Sequence, residues 1–207
     1  MALADAAGLT VTPSGAALGA TVTGVDLTRP LDADTVAAIR AAWLEHLVLA
    51  FPDQPMDHDD LERFTAYFGG FGDDPFIEPL PDRPRIIEVK RSAEEKASVF
   101  AAAWHSDWSF QKTPPAGTVL HGKVIPPVGG DTLFCNAYAA YDALPDETKA
   151  RIEGLNAVHS AALAYAPEGV YGENDGPDRT MTIRPAPEAR ETRSHPIVRV
   201  HPETGRK

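Results

Sequence analysis

WHSDWSF (104–110), GTVLHGKVI (117–125) and GDTLFCN (130–136) decide how this chain is read, because across them its patterning turns from helical to β. Each run is short and rich in β-branched or aromatic residues, and Pro and Gly set it off from the next. Runs of this kind between breakers read as strands. Working outward toward the N-terminus, LTVTPSGAALGATVTGV (9–25) predicts a hairpin that turns near Gly15 to Gly19. Asp32 or Asp34 offers an N-cap, and Val36, Ile39 and Trp43 recur at helical spacing, so 34–46 predicts an amphipathic helix. LVLAF (47–51) predicts a short buried strand ending at Pro52. A second helix is predicted over 57–68, capped by Asp57 or Asp59, with Leu61, Phe64 and Phe68 on its apolar face and Gly69-Gly70 as its stop. RIIEV (85–89) predicts another strand. Toward the C-terminus, 137–154 predicts helix, with Pro145 at a helix start and Asp146 and Glu147 in its first turn. NAVHSAALAY (156–165) predicts a strand, and 166–193, crowded with Pro, Gly and charge, predicts a long loop of the kind that serves as a lid. The fold class so read is mainly β with flanking helices.

The bulk numbers bound the rest. A chain of 207 residues suits a single domain (1–207) with one sizeable core. A net charge of −11 argues against nucleic acid and against anionic membrane surfaces, both of which ask for a basic face. One cysteine, Cys135, allows no intrachain disulfide. MALADAAGLTVTPSG at the N-terminus lacks the basic-then-apolar pattern of a signal peptide, and no stretch approaches the roughly 20 apolar residues of a membrane span. A cytoplasmic protein is expected.

Chemistry concentrates at His105 and Asp107. Two residues apart in a segment of strand character, they are expected to project from one face and to offer one imidazole nitrogen and one carboxylate oxygen. Such a pair is two-thirds of the facial triad that holds iron(II) and leaves coordination positions open. Taken alone, the triplet reads at least as well as a surface ion pair. Its neighbours Trp104, Trp108 and Phe110 favour an apolar wall over a solvated face. Downstream, Gly129 and Gly130 before Asp131 and Thr132 predict a tight turn into a strand, where the Thr132 hydroxyl is free to donate to a carboxylate.

Together with TPSGAALGATVTGVDLTRPL (12–31), TPPAGTVLHGKVIPPVGGDTLFCNAYAAYDALP (113–145) and HPIVRVHPETGRK (195–207), these segments resemble the taurine dioxygenase and 2,4-dichlorophenoxyacetate dioxygenase (TauD/TfdA) family over nearly the whole chain. The resemblance implies a double-stranded β-helix, or jelly-roll, with helices outside it. It assigns His105 and Asp107 as iron(II) ligands and Thr132 as a contact to 2-oxoglutarate. Trp108, Phe110 and Tyr165 fall at positions that face substrate. The implied reaction consumes 2-oxoglutarate and O2, hydroxylates a C–H bond of a small organic substrate such as a sulfonate, sulfate ester or aryloxy acid, and releases succinate and CO2. Oligomerisation is expected by the same resemblance alone.

The chain also departs from that pattern. The family's third ligand, a late-strand histidine, and the arginine that pairs with 2-oxoglutarate normally lie beyond the HPETGRK segment, so a jelly-roll incomplete at its C-terminus is expected. His195 and His201 match histidines of an earlier motif and are read as turn and strand-edge residues. GFGDDPFIE (70–78) puts Asp74 or Glu78 near the histidine of the taurine users, and FAAAWH (100–105) puts alanine near their asparagine. Acid and alanine in place of basic and amide donors disfavour a sulfonate, so taurine is expected to be a poor substrate. Two other readings compete: a jelly-roll fragment that acts only through association, and a zinc hydrolase, which would need a nearby general base that Trp104 to Phe110 does not offer.

Overall fold

The computed structural model describes residues 8–173 and 175–207. Residues 1–7, part of the stretch read above for a leader, and residue 174, within the predicted lid, lie outside the described residues. The chain forms two compact units. One comprises the chain up to residue 69 with 120–154 and 198–207, and the other comprises 70–119 and 155–197.

In the first unit, β1 (Thr10–Pro13) and β2 (Ala20–Thr23) form the expected antiparallel hairpin, with Val11 opposite Val22, and β3 (Leu49–Ala50) adds to β2 in parallel. Alternation along β2 buries Ala20 and Val22 and exposes Thr21 and Thr23. Helix α1 (Ala33–His46) starts where the Asp32 carboxylate accepts the Thr35 amide at 2.7 Å. Without that bond a helix-terminal N–H would lack a partner. It ends at Leu47, whose left-handed backbone (φ 69°) lets its amide reach Trp43 O. Helix α2 (His58–Ala66) carries a capping box in which Asp57 and Asp60 each accept the other's amide. Ile39 and Leu27, with Phe64 stacked edge-on against Phe51 and Phe68, form the core of this unit. The predicted helix over 137–154 is two, α3 (Ala137–Asp142) and α4 (Asp146–Ile152), because Pro145 cannot continue the first and instead leads into the second.

The second unit holds β4 (Asn156–Ser160) paired antiparallel with β5 (Thr192–Pro196), with Val158 opposite Ser194. The strand predicted over 156–165 stops at Ser160, and the one-turn helix α5 (Ala162–Tyr165) follows. Phe76, Ala161, Ala166 and Ala189 form its buried cluster, with Phe110 and Tyr165 packed against them. Glu95, its side chain 1% exposed, joins residues 91–98 to 175–180. It takes the Thr180 amide at 2.9 Å and the Thr180 hydroxyl, and Arg91 and Arg179 stand beside it. Arg179 also pairs with Asp175 and lies over the Tyr171 ring.

Four predicted strands are absent: 85–89, 104–110, 117–125 and 130–136 make no ladder among the described residues. A β pattern records a preference, whereas a strand exists only when a neighbour takes its amides and carbonyls. For 104–110 there is a local cause as well. Trp108 has φ 48°, a left-handed turn geometry, and the Gln111 amide closes back on Trp108 O. No helix of the described residues is long and apolar enough to cross a membrane.

Candidate metal centre

The turn through 106–111, not a strand face, brings His105 and Asp107 together. His105 Nε2 stands 3.1 Å from Asp107 Oδ1. The other ring nitrogen, Nδ1, lies 2.8 Å from the carbonyl oxygen of Ala103. A carbonyl only accepts, so Nδ1 carries the proton and the neutral ring presents a lone pair at Nε2, facing a carboxylate that is also all lone pairs. Two acceptors at that distance repel unless a cation sits with them. A proton on Nε2 satisfies them as an ion pair, and a divalent ion satisfies them as ligands. Two donors bound cis to one ion at about 2.1 Å each stand about 3.0 Å apart, so the separation of the pair is that of two ligands of one ion as well as that of an ion pair. Asp107 Oδ2 is taken by the Thr118 hydroxyl at 2.7 Å, which aims Oδ1 at the imidazole.

The apolar wall expected around the pair is not formed. His105 and Asp107 side chains are 50% and 52% exposed, and Trp104 is 70% exposed, because a turn, unlike a sheet, leaves no second layer over them. Among the described residues no group of three His, Cys, Asp or Glu is placed to hold a metal ion. His195 Nε2 bonds to Gln111 O at 2.9 Å, and its ring stacks edge-on with His159. His201 Nδ1 accepts the amides of Glu203 and Thr204, as a turn histidine does.

A cavity of about 220 Å³ opens beside the residue that follows Asp107, lined by Trp108, Gly72, Asp74, Ile77 and Arg85 among others. The Trp108 indole donates to Asp74 Oδ2 at 2.7 Å, and Asp74 Oδ1 takes the amides of Phe76 and Ile77 at 2.7 and 2.9 Å. A left-handed backbone at a bulky residue costs about 1–2 kcal/mol, so Trp108 is held against a local preference. Arg85 lies over the Phe71 ring, 4.6 Å from its centroid. Phe110 and Tyr165 sit elsewhere in the same unit, both against Phe76, and Tyr165 is stacked on it at 5.0 Å. Burial holds the Tyr165 phenol above its ordinary pKa of 10.0, and the Asp74 and Asp107 charges push the same way. Thr132 belongs to the first unit and is exposed after Gly129 and Gly130, whose φ of 80° and 74° bend the chain at the predicted turn, with no strand directly after it among the described residues. Asp74's hold on Trp108 and Thr118's on Asp107 span 34 and 11 residues. No local pattern announces either.

Comparison with known proteins identifies the family. The family model for the taurine catabolism dioxygenase TauD, TfdA family matches residues 10–207. The chain is 36% identical over 206 residues to a (S)-phenoxypropionate/alpha-ketoglutarate-dioxygenase of Delftia acidovorans, covering 96% of this chain and 69% of that protein. It is 33% identical to an alkylsulfatase of Acinetobacter baylyi over 92% of this chain and 58% of that one. Among solved structures, a taurine dioxygenase from Burkholderia xenovorans superposes with a TM-score of 0.73 at 32% identity, covering 96% of this chain and 61% of that one. AAD-2, in complex with Mn(II) and N-oxalylglycine, superposes with a TM-score of 0.64 at 26% identity over 96% of this chain and 67% of that one. The chain thus spans between 58% and 69% of the length of these relatives.

Proposed function

Because the chain belongs to the taurine catabolism dioxygenase TauD, TfdA family, we propose that it serves a 2-oxoglutarate-dependent dioxygenase, with His105 Nε2 and Asp107 Oδ1 as two ligands of its iron(II). The observation that carries this reading is the 3.1 Å approach of those two atoms with Nδ1 already committed to Ala103 O. Iron(II) with 2-oxoglutarate and O2 supplies the oxidant for C–H hydroxylation, with succinate and CO2 as the other products. The protein's own residues supply orientation. The Ala103 carbonyl fixes the tautomer that leaves Nε2 free, and the Thr118 hydroxyl holds one oxygen of Asp107 so that the other faces the ion. Thr132 is assigned to a carboxylate of 2-oxoglutarate. Trp108 and Asp74, on the cavity, are assigned to the substrate side, with Phe110 and Tyr165 as the aromatic packing of the same unit. The predicted lid, 166–193, is assigned to covering the bound substrate. The fold of the complete enzyme is assigned as the family's double-stranded β-helix.

For substrate, the names of the relatives point to small anionic organic molecules, an aryloxy acid or a sulfate ester before taurine.

Anaerobic addition of iron(II) and then 2-oxoglutarate tests the reading. A weak visible charge-transfer band is expected, lost in His105→Ala and in Asp107→Ala. A band that survives both substitutions sinks the ligand assignment. No band and no succinate with any aryloxy acid or sulfate ester sinks the activity.

A further inference from the structure

Asp74 spends its whole carboxylate inside the protein. Oδ1 takes two backbone amides, which fixes its own turn, and Oδ2 takes the Trp108 indole. Opposite, Gly72 leaves room for the ring, since a Cβ there would stand 2.3 Å from Trp108 Cζ3 and 3.1 Å from Cε3. Trp108 is left-handed at φ 48° and directly follows Asp107. The seat of the indole therefore bears both on the turn that carries Asp107 and on one wall of the cavity. We propose that Asp74 is a positioning residue. It seats Trp108, with Gly72 as the complementary recess, so that one hydrogen bond sets both the apolar wall presented to substrate and the direction of the Asp107 carboxylate.

The proposal rests on the reading of the cavity as the substrate's place, and it makes Asp74 act through Trp108 and not through contact with substrate. With its N–H consumed by Asp74, the indole offers the cavity only an apolar face. Arg85 is then the cation that lines the same space. Asp73 lines it as well, so an aromatic ring with an anionic tail is assigned with its ring at Trp108 and its tail toward Arg85.

The test uses the full chain labelled with 15N-tryptophan, whose three indole N–H signals (Trp43, Trp104, Trp108) are assigned by single Trp→Phe variants. Solvent exchange of the Trp108 signal is measured in the wild type and in Asp74→Ala, Gly72→Ala and Asp74→Asn, and phenoxyacetate is titrated into each without metal. Exchange at Trp108 is expected to be much slower than at exposed Trp104, and to accelerate at least about tenfold in Asp74→Ala and Gly72→Ala. Phenoxyacetate affinity is expected to fall about tenfold in the same two variants, the scale of one charge-assisted hydrogen bond. Asp74→Asn, whose single oxygen can keep the two backbone amides while its NH2 cannot accept from the indole, is expected to hold the turn yet lose both as Asp74→Ala does. Slow amide exchange in the β4–β5 ladder checks that the unit stays folded. Wild-type exchange at Trp108 as fast as at Trp104, unchanged affinity in Asp74→Ala, or no binding of phenoxyacetate to the wild type would each overturn the proposal. These results unchanged but with no succinate formed would sink the dioxygenase reading alone.

Discussion

At the scale of single residues, the site is a set of hydrogen bonds that each remove one freedom from a donor atom. The Thr118 hydroxyl is the clearest, because it occupies one oxygen of Asp107 and leaves the other facing His105. Thr118→Val keeps the shape and deletes the hydroxyl, so iron(II) affinity should fall on the order of tenfold, as it does when outer partners of a ligand are removed. Thr118→Ser should restore it. Equal affinities in all three proteins, measured anaerobically by calorimetry, would mean that Asp107 needs no such aim. The spacing of His105 and Asp107 was open to inspection in the sequence because only two residues separate them. Their convergence was expected from a strand, where alternate side chains share a face, and it is delivered by a turn. Thr118 and Asp74 were hidden as supporting residues because each reaches its partner only after the chain has folded back.

At the scale of elements, what could be read depended on how local its cause is. The α1 and α2 helices carry their own caps and periodicity, so Asp32 and Asp57 mark their starts in the sequence as they do in the structure. Residues 85–89 and 117–125 have equally clear β patterning and form no strand, since a ladder needs a partner whose place no nearby residue specifies. The region read as a lid shows the same limit from the other side. Its Pro and Gly content hides the tie between Thr180 and Glu95, 85 residues away. The Thr180 hydroxyl and then its amide hold the Glu95 carboxyl below its ordinary pKa of 4.5, with Arg91 and Arg179 adding to the effect and burial opposing it. A depressed folded-state pKa means that the charged form favours the folded state. Its contribution is therefore complete above 4.5 and lost as pH falls through the lower folded value. Amide exchange at Thr180 should accelerate as pH drops below 4.5, beyond the intrinsic change in exchange chemistry, while exchange in the β1–β2 ladder, which holds no carboxylate, does not follow it. Glu95→Gln should loosen the tie at neutral pH and abolish its pH response. A response that persists in Glu95→Gln would place the titrating group elsewhere.

For the molecule as a whole, charge and apolar exposure oppose each other. The net charge of −11 keeps copies apart at low ionic strength. Against it stands the stretch 120–134 of the first unit, where Val124 is 91% and Val128 87% exposed, with Leu120, Ile125 and Leu133 also open. Several large apolar side chains in one β-prone stretch without a ladder partner are a hazard for association. Salt decides which force wins, because the repulsion is screened within about 10 Å at 0.1 M while the apolar attraction is not weakened. Self-association should therefore rise with salt, and Val124→Asp together with Val128→Asp should suppress it by adding charge where the apolar surface lies. Sedimentation velocity across a salt series distinguishes the cases. Association that falls as salt rises would assign it to ion pairs, and a monomer at every salt concentration would mean that the charge outweighs the exposed stretch even when screened.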